Sequence, residues 1–105
     1  MKSSRALAFA SGLLLTAILA AAADLSGRVT FRGAPLAGAV VTANLIGERG
    51  PTSVTVTRTG PRGEYVLRGL RSGNYILLVD MSGRRVYQGR IVVTDQTIAK
   101  DIELR

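Results

Sequence analysis

The sequence predicts an all-β fold, an antiparallel β-sandwich of about seven strands, and three observations carry that reading. Beyond Asp24, short apolar runs are separated by Gly, Pro and Asn at intervals of roughly 8 to 12 residues, the spacing of strands and turns. Within the runs, apolar and polar residues alternate with a period of two, as a half-buried strand requires. No stretch of this region carries the longer period of an amphipathic helix.

Each element follows in order. In "LSGRVTF", residues 25–31, Leu25, Val29 and Phe31 share one face while Arg28 and Thr30 share the other. "RGAPLAG" is a turn, where Gly33 is free to take positive φ and Pro35 withholds a ladder donor. "AVVTANLI" places Ala39, Val41, Ala43 and Leu45 on one face and Val40, Thr42 and Asn44 on the other. "SVTVTRT", Ser53 to Thr59, alternates valine with threonine, both suited to a pleated surface. "TGPRG" then reverses the chain, and "EYVL" and "NYILLVDM" form strands joined by a "RGLRSG" loop. "DMSGRRVY" predicts a hairpin turned at Ser82 and Gly83, and "GRIVVTD" with "IAKDIEL" supplies the closing strands.

The N-terminus has a different composition. Lys2 and Arg5 precede an uncharged run from Leu7 to Ala23 that ends in small residues, the order of a helical secretory signal peptide. Ala21 and Ala23 fit the small-residue positions of a cleavage site, which places the boundary before Asp24 and divides the chain into a signal peptide, 1–23, and one domain, 24–105. Retained, the same run would serve as a membrane anchor, the one membrane contact this sequence predicts. Either outcome predicts an exported protein, periplasmic or extracellular. The domain has no cysteine, so its stability rests on its hydrophobic core. Without Lys2 and Arg5 there are 12 basic and 7 acidic residues, a net charge of +5 that favours anionic surfaces. No lysine–arginine block marks a nucleic-acid tail, and no nucleic-acid partner is expected.

The glycines of "TGPRGEYVLRGLRSGNYILLV", Thr59 to Val79, resemble a phosphate cradle in letters only. Such a loop needs a helix after its glycines and a Gly-Lys-Ser/Thr ending, and neither is present, so these glycines are turns. The pattern "GRVTFRGAPLAGAVVTA", then this stretch, then "IVVTDQTIAKDIEL", resembles the carboxypeptidase regulatory-like domain. The matching residues are Gly27 and Val29 in the first strand and Gly33, Pro35, Leu36, Gly38 and Ala39 in the turn. They continue with the Gly-x-Tyr pairs Gly63/Tyr65 and Gly73/Tyr75, with Leu70 between them. The resemblance covers nearly all of residues 24–105 and implies a transthyretin-like (prealbumin-like), Ig-like sandwich in which Tyr65 and Tyr75 are core residues. Such domains accompany catalytic domains or occur in strings on cell-surface proteins, and related sandwiches bind carbohydrate or form adhesive stalks.

Chemistry is narrowed by what the chain lacks. With no histidine and no cysteine, serine–histidine and cysteine–histidine hydrolysis and the usual zinc and non-haem iron sites are excluded. Hydroxyisourate hydrolases and intradiol dioxygenases, which share the implied fold, depend on histidines. The seven acidic residues form no catalytic motif; Asp95, Asp101 and Glu103 could gather near one end, but the loop lacks the alternating acids of a calcium site. No catalysis, cofactor or metal is expected. Two binding readings remain. In one, an envelope protein, or a second copy in a homo-oligomer, covers Ile76 and Leu78 on the outer face of "YILLVDM", with Val40, Val66 or Val92 extending the patch, or adds a strand at an open edge. In the other, an anionic polymer or polysaccharide is held by Arg62, Arg68, Arg71, Arg84 and Arg85, whose planar forks pair two oxygens at once, with Tyr87 as the freest aromatic. Convergence of those arginines on one end would favour the second.

Overall fold

The computed structural model describes residues 22–47 and 50–105, and no helix occurs among them. Apart from Ala22 and Ala23, the leader expected over residues 1–23, with Ala21 of its cleavage site, lies outside the described residues. Nine strands are present among them: β1 (Ala22–Phe31), β2 (Ala34–Pro35), β3 (Val40–Gly47), β4 (Gly50–Arg58), β5 (Glu64–Arg71), β6 (Gly73–Met81), β7 (Arg84–Val93), β8 (Ile98–Ala99) and β9 (Ile102–Leu104). They form two sheets. In the first, β1 is central, flanked by β5 and β2 on antiparallel ladders and by β8 and β9 on parallel ones. The second is an antiparallel sheet in the order β4–β3–β6–β7.

Alternation dictates what lies between the sheets. Leu25, Val29, Tyr65, Leu67 and Leu70 from the first sheet meet Val41, Ala43, Tyr75, Leu77, Val79 and Val93 from the second, all buried. The expected inward faces of β1 and β3 are therefore the observed ones, with one exception. Phe31, at the end of β1, is 42% exposed, because the strand leaves the core there and the Arg32 guanidinium stacks 5.2 Å from the ring centroid.

Turns fall where the residue types allow. Ser82 and Gly83 both have positive φ (53° and 78°), and Met81 pairs with Arg84, so β6 and β7 are joined by a two-residue turn whose twist matches the strands. Several elements differ from the sequence reading, beginning with the "RGAPLAG" turn, whose Ala34 and Pro35 pair with the end of β1 as a short strand. The "RGLRSG" loop is strand as far as Arg71, because the Asp24 carboxylate accepts the Gly69 N–H (3.1 Å) and Leu70 points into the core. Residues 84–93 are one strand rather than two, since the Tyr87 ring lies over Gly89 and fills the space a side chain would take. The C-terminal strands run parallel to β1: β7 ends at the end of the sandwich where β1 begins, and a chain that crosses to the other sheet there must run alongside β1.

β1 also starts two residues before the expected boundary. Ala23 pairs with Leu70 and is only 5% exposed, so it belongs to the core.

Both Gly-x-Tyr tyrosines are buried, and each hydroxyl donates to a backbone carbonyl: Tyr65 to Lys100 (2.5 Å) and Tyr75 to Arg71 (2.7 Å). Burial, and secondarily the Asp101 charge, pushes the Tyr65 hydroxyl well above the ordinary tyrosine range; burial raises Tyr75 as well. The folded state therefore keeps protons that the unfolded chain releases near pH ~10, so this stabilisation is complete below that pH and declines above it. Tyr65→Phe is expected to cost about 1 kcal/mol at neutral pH and to make the alkaline decline shallower. Denaturant midpoints between neutral and strongly alkaline pH check both.

Candidate functional site

Pairing across the second sheet decides which residues share its outer face. One row reads Val56, Thr42, Leu78, Gln88 across β4, β3, β6 and β7, and the next reads Val54, Asn44, Ile76, Arg90. Val92 lies beyond, opposite Asn74. Residues directly opposite one another point to the same side, so the face carries Val54, Val56, Ile76, Leu78 and Val92 together. Val54, Val56 and Val92 are 60%, 57% and 62% exposed, while Leu78 is 8% exposed and Ile76 half-buried between its neighbours. A groove of about 300 Å³, lined by Ile46, Ile76, Ile91 and Val92 with Arg90, opens at one end of the face. Between Val54 and Ile76 the side-chain oxygen of Asn44 is buried without a hydrogen-bond partner among the described residues. A buried acceptor left unpaired costs about 1–3 kcal/mol.

The two residues expected on this face, Ile76 and Leu78, form its centre, while the accessible apolar surface comes from valines at its flanks. Val92 is among the expected extensions. Val54 and Val56 are not, because "SVTVT" reads as an ordinary pleat until the order of strands places it at an edge. Of the other proposed extensions, Val40 lies on this face, half-buried, whereas Val66 is on β5 in the other sheet.

The arginines divide between the two ends. Arg62 lies in the β4–β5 turn, and Arg84 and Arg85 follow the β6–β7 turn at the same end, with Arg32, Arg58 and Arg105. Arg71 pairs with Ala22 at the opposite end, about 23 Å along β5 from Glu64, and Arg68 lies on the way there. Several are already engaged: Arg85 Nε is 2.6 Å from Asp80 Oδ1, Arg68 lies 3.6 Å from Asp24 Oδ2, Arg58 donates to the Gly38 carbonyl (3.4 Å), and Arg32 lies over the Phe31 ring. Tyr87 is half-buried and packs against the core. No group of three potential metal ligands occurs among the described residues, and Asp101 Oδ1 instead accepts the Arg28 N–H (3.0 Å).

Two sheets with this strand order, packed face to face around a buried tyrosine pair, define a transthyretin-like β-sandwich. The chain belongs to the carboxypeptidase regulatory-like domain family, whose model matches residues 24–105. No curated protein matches it. Solved structures of similar fold include the dioxygenase domain of a dioxygenase–carbohydrate-binding fusion from Streptomyces sp. SirexAA-E. That pair shares 18% identity with a TM-score of 0.59, over 77% of each chain. The group B streptococcus pilus 2b backbone protein is 13% identical with a TM-score of 0.59, over 78% of this chain and 40% of that one. Klebsiella pneumoniae 5-hydroxyisourate hydrolase is 20% identical with a TM-score of 0.55, over 79% of this chain and 91% of that one. At these identities the likeness is one of fold.

Proposed function

We propose that the chain is a non-enzymatic, exported accessory module of the cell envelope that binds a protein partner through the outer face or open edge of its four-stranded sheet. The observation that carries this reading is the exposure of Val54, Val56 and Val92 on one face, with Ile76 and Leu78 between them. Monomeric surfaces seldom leave so many apolar side chains together without a use for them. A binding role is also supported by the residue inventory: the chain has neither histidine nor cysteine to do the chemistry for which related sandwiches are named. The pilus backbone protein shows the same fold in a surface structure.

Capture from native envelope extract, with the full chain as bait and washes at low and then high salt, tests it. A discrete protein should survive the high-salt wash, because apolar contacts are not screened. Ile76→Ser with Val92→Ser should weaken its retention about tenfold or more, the loss expected for one to two buried aliphatic side chains. Retention equal to wild type would reject the face.

A second reading draws on the arginines that share one end, Arg32, Arg58, Arg62, Arg84 and Arg105, which suit an anionic polymer. In that case the captured material is a polysaccharide or lipid released by salt, and Arg62→Glu with Arg84→Glu abolishes its capture.

A further inference from the structure

We infer that β4 is a self-pairing edge, through which two copies of this chain join their four-stranded sheets into one continuous antiparallel sheet of eight strands. The inference rests on the interaction-module reading above and names its partner. An open edge presents unpaired N–H and C=O groups, and folded proteins normally blunt such edges with charge, bulges, proline or shortness. Among the described residues the other edges are blunted. β7 carries Arg84, Arg85 and Arg90 and a bulge beside Asp80; β5 carries Glu64, Arg68 and Arg71; β8 and β9 are two and three residues long; and β2 contains Pro35.

β4 is different. It runs from Gly50 to Arg58, and its one charge, Arg58, closes it, while its one proline and its bulge lie at its start, so the middle of the strand, Ser53 to Thr57, is uncharged and regularly paired with β3. The parity of its ladder with β3 follows from the Thr59 N–H, which donates to the Ala39 carbonyl at 2.8 Å. Thr57 and Thr55, opposite Val41 and Ala43, therefore bond inward to β3, and Val54, Val56 and Arg58 turn their backbone groups outward.

Those outward groups are self-complementary. A two-fold axis through Thr55 sets Val54 opposite Val56 of the second copy and Val56 opposite its Val54. Both of these pairs exchange backbone hydrogen bonds, and the four exposed valines pack on one face. The antiparallel sense also suits the charge. It places Arg58 opposite backbone position 52 of the other copy, and the two Arg58 residues roughly 20 Å apart, beyond the screening length of about 8 Å. A parallel pair in register would set them side by side.

Because the chain has no cysteine, a single introduced thiol reports the register. In this dimer the two Thr55 Cα atoms form a non-hydrogen-bonded pair about 4.5 Å apart, within disulfide range, whereas the two Thr57 Cα atoms lie roughly 13 Å apart and out of range. The full-length gene is expressed and the protein is purified as the cell processes it; the variants are then oxidised in air and their mass measured by light scattering. Thr55→Cys should become a disulfide-linked dimer, Thr57→Cys should not, and wild type should be a dimer that Val54→Lys with Val56→Lys converts to monomer with an unchanged circular dichroism spectrum. A wild type that stays monomeric to its solubility limit, with no Thr55→Cys cross-link, overturns the inference, even if the edge accepts a strand from another protein. A wild-type dimer that survives the lysine pair and leaves Thr55→Cys uncrosslinked also overturns it, while the interaction-module reading stands on the sheet face. A monomer that captures no protein partner removes both.

Discussion

Thr59→Val is expected to destabilise the domain by about 2–4 kcal/mol, a fall of roughly 10–20 °C in Tm for a domain of this size. Thr59 is the one buried polar residue among those described, and its hydroxyl serves two backbone groups at once. The oxygen accepts the Ala39 N–H at 2.9 Å, and the hydroxyl donates to the Leu36 carbonyl at 2.6 Å. It therefore ties the β2–β3 loop to the end of β4, where Gly38 and Ala39 also bond the Thr59 backbone. Valine keeps the volume and the β-branch but leaves both groups unpaired in a site closed to water. Thr59→Ser, which keeps the oxygen, should cost less than half as much. Thermal and urea melts of the three proteins check the order, and equal midpoints for valine and serine would show that the hydroxyl does not hold the loop.

Gly27→Val should be at least as damaging, by about 3 kcal/mol, through a different cause. A Cβ at position 27 would collide with the Lys100 carbonyl, which is backbone and cannot move aside as a side chain would. The same few residues hold the C-terminal segment to β1: Lys100 N–H donates to Ser26 O (2.8 Å), and Asp101 accepts from Arg28 N–H. Pushing Lys100 away should release residues from about Thr94 onward, so limited proteolysis should clip the variant there well before it cuts wild type. A variant that is destabilised but resists such cutting would show that the strain is taken up elsewhere.

Much of the fold was legible because its local signals agree with one another. Period-two alternation in "AVVTANLI" and "NYILLVD" predicts the inward faces observed, and a serine–glycine turn predicts the β6–β7 hairpin. The signals failed where a side-chain contact overrides a glycine. Gly69 and Gly89 read as breaks, yet Asp24, 45 positions away, caps the first, and the ring of Tyr87, two positions away on the same strand, covers the second. Thr59 read as the last residue of a strand, since nothing near it announces backbone partners 20 and 23 residues away. The candidate surface was half legible. Two apolar residues on the wrong side of β6 pointed to the face, but the weight of Val54 and Val56 depends on β4 being outermost, and strand order is not written in alternation.

The pairing of β1 with β8 and β9 also bears on when this domain can form. Its first strand is completed by its last, with Arg28 and Asp101 73 positions apart in sequence and Arg32 N–H bonded to Leu104 O. Contacts of that span are slow to form, because the whole intervening chain must be ordered or looped out first. A chain that is synthesised or threaded from its N-terminus holds β1 with one side unpaired until Ile98 and the residues after it arrive. The domain is thus completed by its final segment, and a fragment ending before Ile98 keeps the middle strand of the first sheet as an exposed edge.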